Sequence, residues 1–524
     1  FSSGLLAVTG GAEIVDGTLT GDSETITSDV TIGAGALFQL VQTAAGEYAG
    51  NITGGGRFEK GGSADLTLAG TNSFSGGIDV ISGKLFGNSG SLPGDIALST
   101  GSSQVIFDQN ATTGDGTHSG NISGAGKLIK QGLGTLTLGG TSSYTGDTEV
   151  AEGTLRGDAQ SLVGNIVLSS VDATAEFSFA GNQTFDGFIS GGGISGGGNV
   201  TKSGTGTLTL NAPNSFTYTG ATLISGGTLR LETDLPNTSS VAVSAGATLE
   251  NAQSTGRTTI HGGLDSRGRI VLGGVTGALL VEAGSANLRP GSALNVILDD
   301  QGQSSTLAVD GQVFLSGVEL ALTPLPGSYT GTVPYVLLTG TSIVAGSEGL
   351  GFTTPEFAFL DVGVPVLASG GTQLTVTLTP NANSLGDFAQ TPNQQATAPA
   401  LQQVLGSGSA DSQTILESLS VLPASRVPDI LDEVAGESLG AMTNPREANA
   451  YAFAQALSRR FTANEYETGP VIRNAGAAGQ AGPGAGGWIE AVGLFSDQSG
   501  QINASDISAD SGGFAGGFDA PLPG

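Results

Sequence analysis

Cysteine is absent from the 524 residues, and histidine occurs only at His118 and His261. The first absence excludes disulfide scaffolds, thiol catalysis and cysteine-ligated zinc; the second leaves catalysis short of its usual proton carrier at neutral pH. A disulfide formed before export would close a loop that jams a narrow pore, so a cysteine-free chain also suits crossing a membrane unfolded. Basic side chains are scarce too: 17 lysines and arginines stand against 46 acids, a formal net charge of −29. With no basic stripe to neutralise phosphates, nucleic acid is excluded as a partner, and the excess charge keeps an exposed surface soluble. No run of 18 apolar residues is present, which excludes a membrane-spanning helix. The opening residues lack the basic and apolar regions of a leader peptide, so the chain is expected to be a piece of a longer product.

What is abundant is glycine, 89 residues, without the tripeptide period or proline content of collagen. Hydrophobic residues still make up 38%, enough for a continuous core, so the glycines are assigned to tight turns. Self-similarity shows where. Lys60, Lys130 and Lys202 each stand six residues before a Leu-Thr-Leu triplet that begins at Leu66, Leu136 or Leu208. Each unit continues with Gly76, Gly146 or Gly220, then Val80, Val150 or Ile224, then Leu85, Leu155 or Leu229. Asn51-Ile52-Thr53-Gly54 likewise returns as Asn121-Ile122-Ser123-Gly124.

Between the glycines the units alternate with period two, as in Thr135-Leu136-Thr137-Leu138, and show no helical period. Alternation points Leu136 and Leu138 inward and Thr135 and Thr137 to water, while Gly146 and Gly153 are expected to supply positive φ at corners. One such turn cannot bury its own leucines, but stacked turns of about 20 to 25 residues make one apolar column. The predicted fold is therefore all-β: a right-handed parallel β-helix, or solenoid, followed by short α-helices and an incomplete β-barrel start. Residues 1–266 form its main body, with repeats at about 56–86, 126–156 and 198–231. Texture changes near residue 381, where 381–410 reads as a polar linker, 411–465 as helical and 466–487 as a Gly/Ala-rich linker. Within 411–465, Asn444-Pro445-Arg446-Glu447 supplies a helix start.

Gly134-Thr135-Leu136-Thr137-Leu138, Ser143-Tyr144-Thr145-Gly146 and Val150-Ala151-Glu152-Gly153-Thr154-Leu155 resemble the autotransporter-associated β-strand repeat, a module that promotes export of large bacterial passengers. Residues 267–380, with Leu288-Arg289-Pro290-Gly291-Ser292 and Tyr335-Val336-Leu337-Leu338-Thr339-Gly340, resemble the junction or autochaperone region that precedes a translocator and caps the solenoid. Leu431-Asp432-Glu433-Val434-Ala435-Gly436-Glu437, Trp488 and Gly513-x-x-x-Gly517-x-Asp519 resemble the entry to the autotransporter β-domain, of which 488–524 holds only the first strands. The resemblance implies a secreted, cell-surface passenger, non-enzymatic, anchored in the outer membrane through a β-domain largely absent from this chain. Attachment or aggregation follows as its function. Its partners are then ligands on host or neighbouring cells, further copies of itself and the outer-membrane assembly machinery during secretion. Two alternatives stand beside this one: a stalk whose enzymatic head lies N-terminal to Phe1, and a subunit of an extracellular filament.

Arg156-Gly157-Asp158 is the one candidate site, since such a tripeptide on a turn bridges an integrin's metal ion and acidic cleft in adhesive passengers. The competing reading is turn chemistry, because the aligned Phe86-Gly87-Asn88 places a glycine turn there without the charges. Asp22-Ser23 and Asp115-Gly116-Thr117-His118 share residue types with esterase-type passengers, but β-repeats occupy the intervening sequence and both histidines are expected in solvated turns. Asp299-Asp300 lacks the nonapeptide context of a calcium β-roll. No catalytic residue, metal or cofactor is assigned.

Overall fold

The computed structural model describes residues 10–191, 197–213, 215–253, 255–329, 333–345, 354–406 and 410–435, and the backbone of two strands at 486–498 and 507–519. Short strands dominate, because Val, Ile, Thr and Phe alternate with polar residues over three to five positions before a glycine ends the run. Up to Ser342–Ala345, consecutive strands fall in different sheets. Gly116–His118, Ile122–Gly124, Lys127–Gln131 and Thr135–Leu138 lie in turn in the 11-stranded, a 7-stranded, the 8-stranded and again the 11-stranded sheet. The chain therefore winds around three faces, and each turn pairs in parallel with the next. Phe38 stands opposite Phe58 and Phe58 opposite Ile78, a step of 20 residues. The fold is a parallel β-solenoid.

Its core is the row of inward side chains. Leu66 pairs with Leu85, Leu136 with Leu155, and Leu208 with Leu229 and then Leu249, so the spacing within each sequence repeat is one turn of the stack. All are fully buried, whereas Thr135 and Thr137 keep contact with water, as alternation requires. Near the start of the described residues the column is aromatic. Phe38, Tyr48, Phe58 and Phe74 pack edge-on or tilted with centroids 5.6 to 6.1 Å apart.

The glycines serve two purposes rather than one. Gly153 has φ +65°, as do its counterparts Gly83 and Gly227 at +70° and +63°. Gly146, expected to share that conformation, does not. A Cβ there would lie 2.3 Å from the Gly126 carbonyl of the preceding turn, and Gly76 and Gly220 meet the same obstacle at Gly56 and Gly197. At this corner successive backbones approach too closely for any side chain.

Parallel stacking runs to Ser342–Ala345, which pairs with Gln312–Leu315; beyond it Gln373–Pro380 pairs antiparallel with Val333–Thr339, and Val366–Ala368 runs antiparallel to Gln373–Pro380. The second unit comprises 326–331, 356–361 and the residues from 379 onward. Its core of Ala358, Leu385, Ala398, Leu405, Leu419, Val427 and Leu431 is gathered by helices Pro392–Leu405, Ala410–Ser420 and Val427–Ala435. The stretch 381–410, read from its composition as a linker, is thus corrected: it contains the helix Pro392–Leu405. Thr391 caps that helix, Pro392 takes its first position and Gln394 completes a capping box, which offsets the poor helix propensity of the segment. No described helix is long and apolar enough to cross a membrane. Gly486–Gln498 and Ile507–Asp519 pair antiparallel, spanning the expected strands at Trp488 and Gly513. The helix expected from Asn444 lies outside the described residues, as does the expected linker 466–487 apart from Gly486 and Gly487, which open the first of these strands.

Candidate functional site

Gly157-Asp158 forms a corner that recurs in the stack. Asp158 Oδ1 accepts the backbone N–H of Gln160 at 3.0 Å and of Ser161 at 2.8 Å, while Asp158 N–H donates to Ser161 Oγ at 2.8 Å. Asn88 makes the same reciprocal pattern with Gly90 and Ser91, and Asp22 with Glu24 and Thr25. Each corner ends on a buried aliphatic residue, Leu162, Leu92 or Ile26, that packs beneath the preceding glycine. Burial pushes the Asp158 carboxyl up, but hydrogen bonds from Ser161, Gln183 and Gln160 outweigh it and hold the group below the usual carboxylate range. Arg156, on the strand Thr154–Gly157, lies 2.9 Å from the Glu176 carboxylate, which stands opposite it on the next turn. Arg230, at the corresponding position of the third repeat, meets Glu250 in the same way at 3.1 Å although no Gly-Asp follows it. Arginine and aspartate of the tripeptide are thus each held by a structural partner that recurs elsewhere. Asp158→Glu is accordingly expected to leave attachment of bacteria displaying the chain to integrin-bearing cells unchanged; a lost attachment would assign the tripeptide to a receptor.

The esterase-like residues do not converge. Ser23 Oγ accepts from Gln42 Nε2 at 2.5 Å, one turn away. His118, expected in a solvated turn, is instead a core residue, 2% exposed and opposite Leu138 in the ladder. Its Nδ1 lies 3.1 Å from the Leu92 carbonyl and its ring packs on Phe107. Burial holds it below the usual histidine pKa and therefore neutral. Asp299 Oδ1 accepts the N–H groups of Gln301 and Gln303, closing a turn. Among the described residues no group of three His, Asp or Glu is placed to hold a metal ion.

The unexpected polar groups are the repeat lysines, all three fully buried. Lys60 Nζ donates to the carbonyls of Gly62 at 2.6 Å and Ser82 at 2.7 Å. Lys130 Nζ reaches Gln131, Gly132 and Glu152 at 3.1, 2.6 and 3.0 Å. Lys202 Nζ reaches Ser203, Gly204 and Gly226 at 2.5, 3.1 and 3.2 Å and sits 5.0 Å over the Phe179 ring. Each ammonium thus closes a corner of its own turn and one of the next. Alternation carried the signal: Phe58-x-Lys60, Leu128-x-Lys130 and Val200-x-Lys202 place the lysine in the inward phase. Desolvation lowers all three to about 8, opposed at Lys60 by Asp65 and at Lys130 by Asp108, Glu152 and Asp115.

A lysine that gives up its proton near pH 8 when folded and near 10.5 when unfolded makes stability rise with pH across that window, because the unfolded chain then binds more protons. The buried tyrosines act oppositely. Burial raises Tyr48, Tyr144, Tyr218 and Tyr335 above the ordinary value of 10.0, so above that pH the unfolded chain ionises first and stability falls. Denaturant titrations from pH 7 to 11 should therefore show a maximum at about pH 9 to 10. A steady decline from pH 7 would contradict the burial of the ammonium groups.

Residues 58–85, 128–156 and 200–231 match the passenger-associated transport repeat. The chain is also 29% identical over 253 residues to the adhesin BmaC autotransporter of Brucella suis biovar 1 (strain 1330). It resembles an autotransporter passenger. The similar stretch is 39% of this chain but 7% of that adhesin, so the chain spans a small part of the relative's length. Each matched segment holds one buried lysine, one Leu-Thr-Leu strand and one close-approach glycine.

Proposed function

We propose that this chain is a non-enzymatic passenger displayed on the bacterial surface, whose solenoid carries attachment or aggregation. The observation behind this reading is that recurrence between the repeats is strongest inside. Lysine, leucine and glycine return at equivalent places, whereas most outward positions, the threonine of each Leu-Thr-Leu apart, vary: Glu59, Ile129 and Thr201 correspond, as do Asp79, Glu149 and Leu223. A repeat that keeps its core and varies its surface is scaffolding for distributed contacts rather than a reused active site. The relative named as an adhesin supports the same direction. On this reading the antiparallel pair Gly486–Gln498 and Ile507–Asp519 belongs to the start of the membrane barrel. Display of the complete gene product on a non-adherent bacterium tests the proposal. Increased attachment to cells or increased settling of the culture is expected, and neither occurring would overturn it.

A further inference from the structure

Among the described residues, Lys60, Lys130 and Lys202 are the cationic side chains enclosed in the solenoid core, and they occupy three different sheets. Lys60 lies in a 7-stranded sheet, Lys130 in the 8-stranded and Lys202 in the 11-stranded. The reason is a mismatch of periods. From Lys60 its column passes through Val80, Leu98 and Gly124, three turns, and Lys130 comes only on the next face. Each repeat is therefore three turns plus one face.

We infer that the lysines are register pins, one for each face, that reject stackings of neighbouring turns shifted by two residues. A slip of one residue turns every leucine outward and is forbidden by burial alone. A slip of two keeps the inward phase, and strands of alternating Thr and Leu tolerate it. The lysine does not. In every copy its register partner is aliphatic, Val80, Val150 or Ile224, and the carbonyl it reaches on that turn belongs to the residue two places further on, Ser82, Glu152 or Gly226. That carbonyl points inward because the chain leaves the ladder there, just before Gly83, Gly153 and Gly227 adopt positive φ. After a shift of two, the ammonium faces a strand whose carbonyls are spent on the ladder, and it is left buried with its hydrogen bonds to the next turn unmade.

The absence of cysteine allows a direct test. Ile129 and Glu149 are outward-facing register partners across Lys130 and the turn that follows it. Cysteines placed at this pair should form a disulfide, whereas Ile129 with Asp147 or with Ala151 is too far apart in the native register and closes only after a slip of two. In the otherwise unchanged chain only the Ile129/Glu149 pair is expected to oxidise. With Lys130→Met, the shifted pairs should gain at least tenfold in yield; shifted pairs that stay reduced would overturn the inference. Leu155→Ala, which opens a core cavity in the strand that directly follows Thr148–Val150, should leave the yields as they were, and an equal gain there would assign the effect to lost stability instead. If Lys130→Met does not fold, Lys202→Met with cysteines at Thr201 paired to Leu223, Ala221 or Ser225 gives the same readout.

Discussion

Leu136→Asp is expected to unfold the turns on either side of it at neutral pH while leaving distant turns intact. Leu136 is fully buried and stands between Gly116 and Leu155 in the ladder. Truncating such a side chain costs about 2 to 5 kcal/mol, and a carboxylate with no partner adds several more before it protonates. The loss stays local because each turn of a solenoid is stabilised by its immediate neighbours. Amide exchange should show Gly116–His118 and Thr154–Gly157 losing protection and Ala293–Leu298 keeping it. Acid should narrow the deficit, since a protonated carboxyl is cheaper to bury than a charged one. Protection that survives throughout 116–157 would mean that this side chain is not in the column.

Lys130→Ala is the second large effect. It removes a side chain that fills the core and strands the carbonyls of Gln131, Gly132 and Glu152 in a closed corner. An unsatisfied buried acceptor costs ~1 to 3 kcal/mol, so a loss of about 3 kcal/mol or more is expected at pH 7. The variant should also lose its share of the alkaline gain, because one of the three lysines that release a proton near pH 8 is missing. Denaturant midpoints at pH 7 and pH 9.5 measure both quantities together. Lys130→Met, which refills the volume, should recover part of the first and none of the second. A midpoint unchanged in Lys130→Ala would leave the buried ammonium without a structural role.

The solenoid was legible because its signal is periodic and its core is made of one residue class. Leu136 and Leu155 are in phase in the sequence and in register in space, and no tertiary detail intervenes between the two facts. Polar residues were harder to place. The lysines mark the repeat in the sequence, yet their inward phase conflicts with the rarity of buried ammonium groups, and only the corner carbonyls, invisible in a sequence, resolve it. His118 was misplaced for a related reason: a short polar strand beside glycines reads as a turn until its partner in the ladder, Leu138, is known. Gly146 shows the limit for glycine, since a requirement for φ and a requirement for close approach look identical in one dimension. The helix Pro392–Leu405 was hidden by its Asn/Gln/Pro content, although Thr391-Pro392-Asn393-Gln394 carried a start signal.

The period mismatch sets a rule for length variants. Excising one complete repeat, for example 60–129, removes three turns and a third, so everything N-terminal to the cut is redirected to a different side of the solenoid. Two repeats give a second orientation and three restore the first. Gain or loss of repeats by recombination therefore changes which surfaces share a flank as well as how far the chain extends, and a ligand that bridges two turns along one sheet will meet a new neighbour each time the copy number changes.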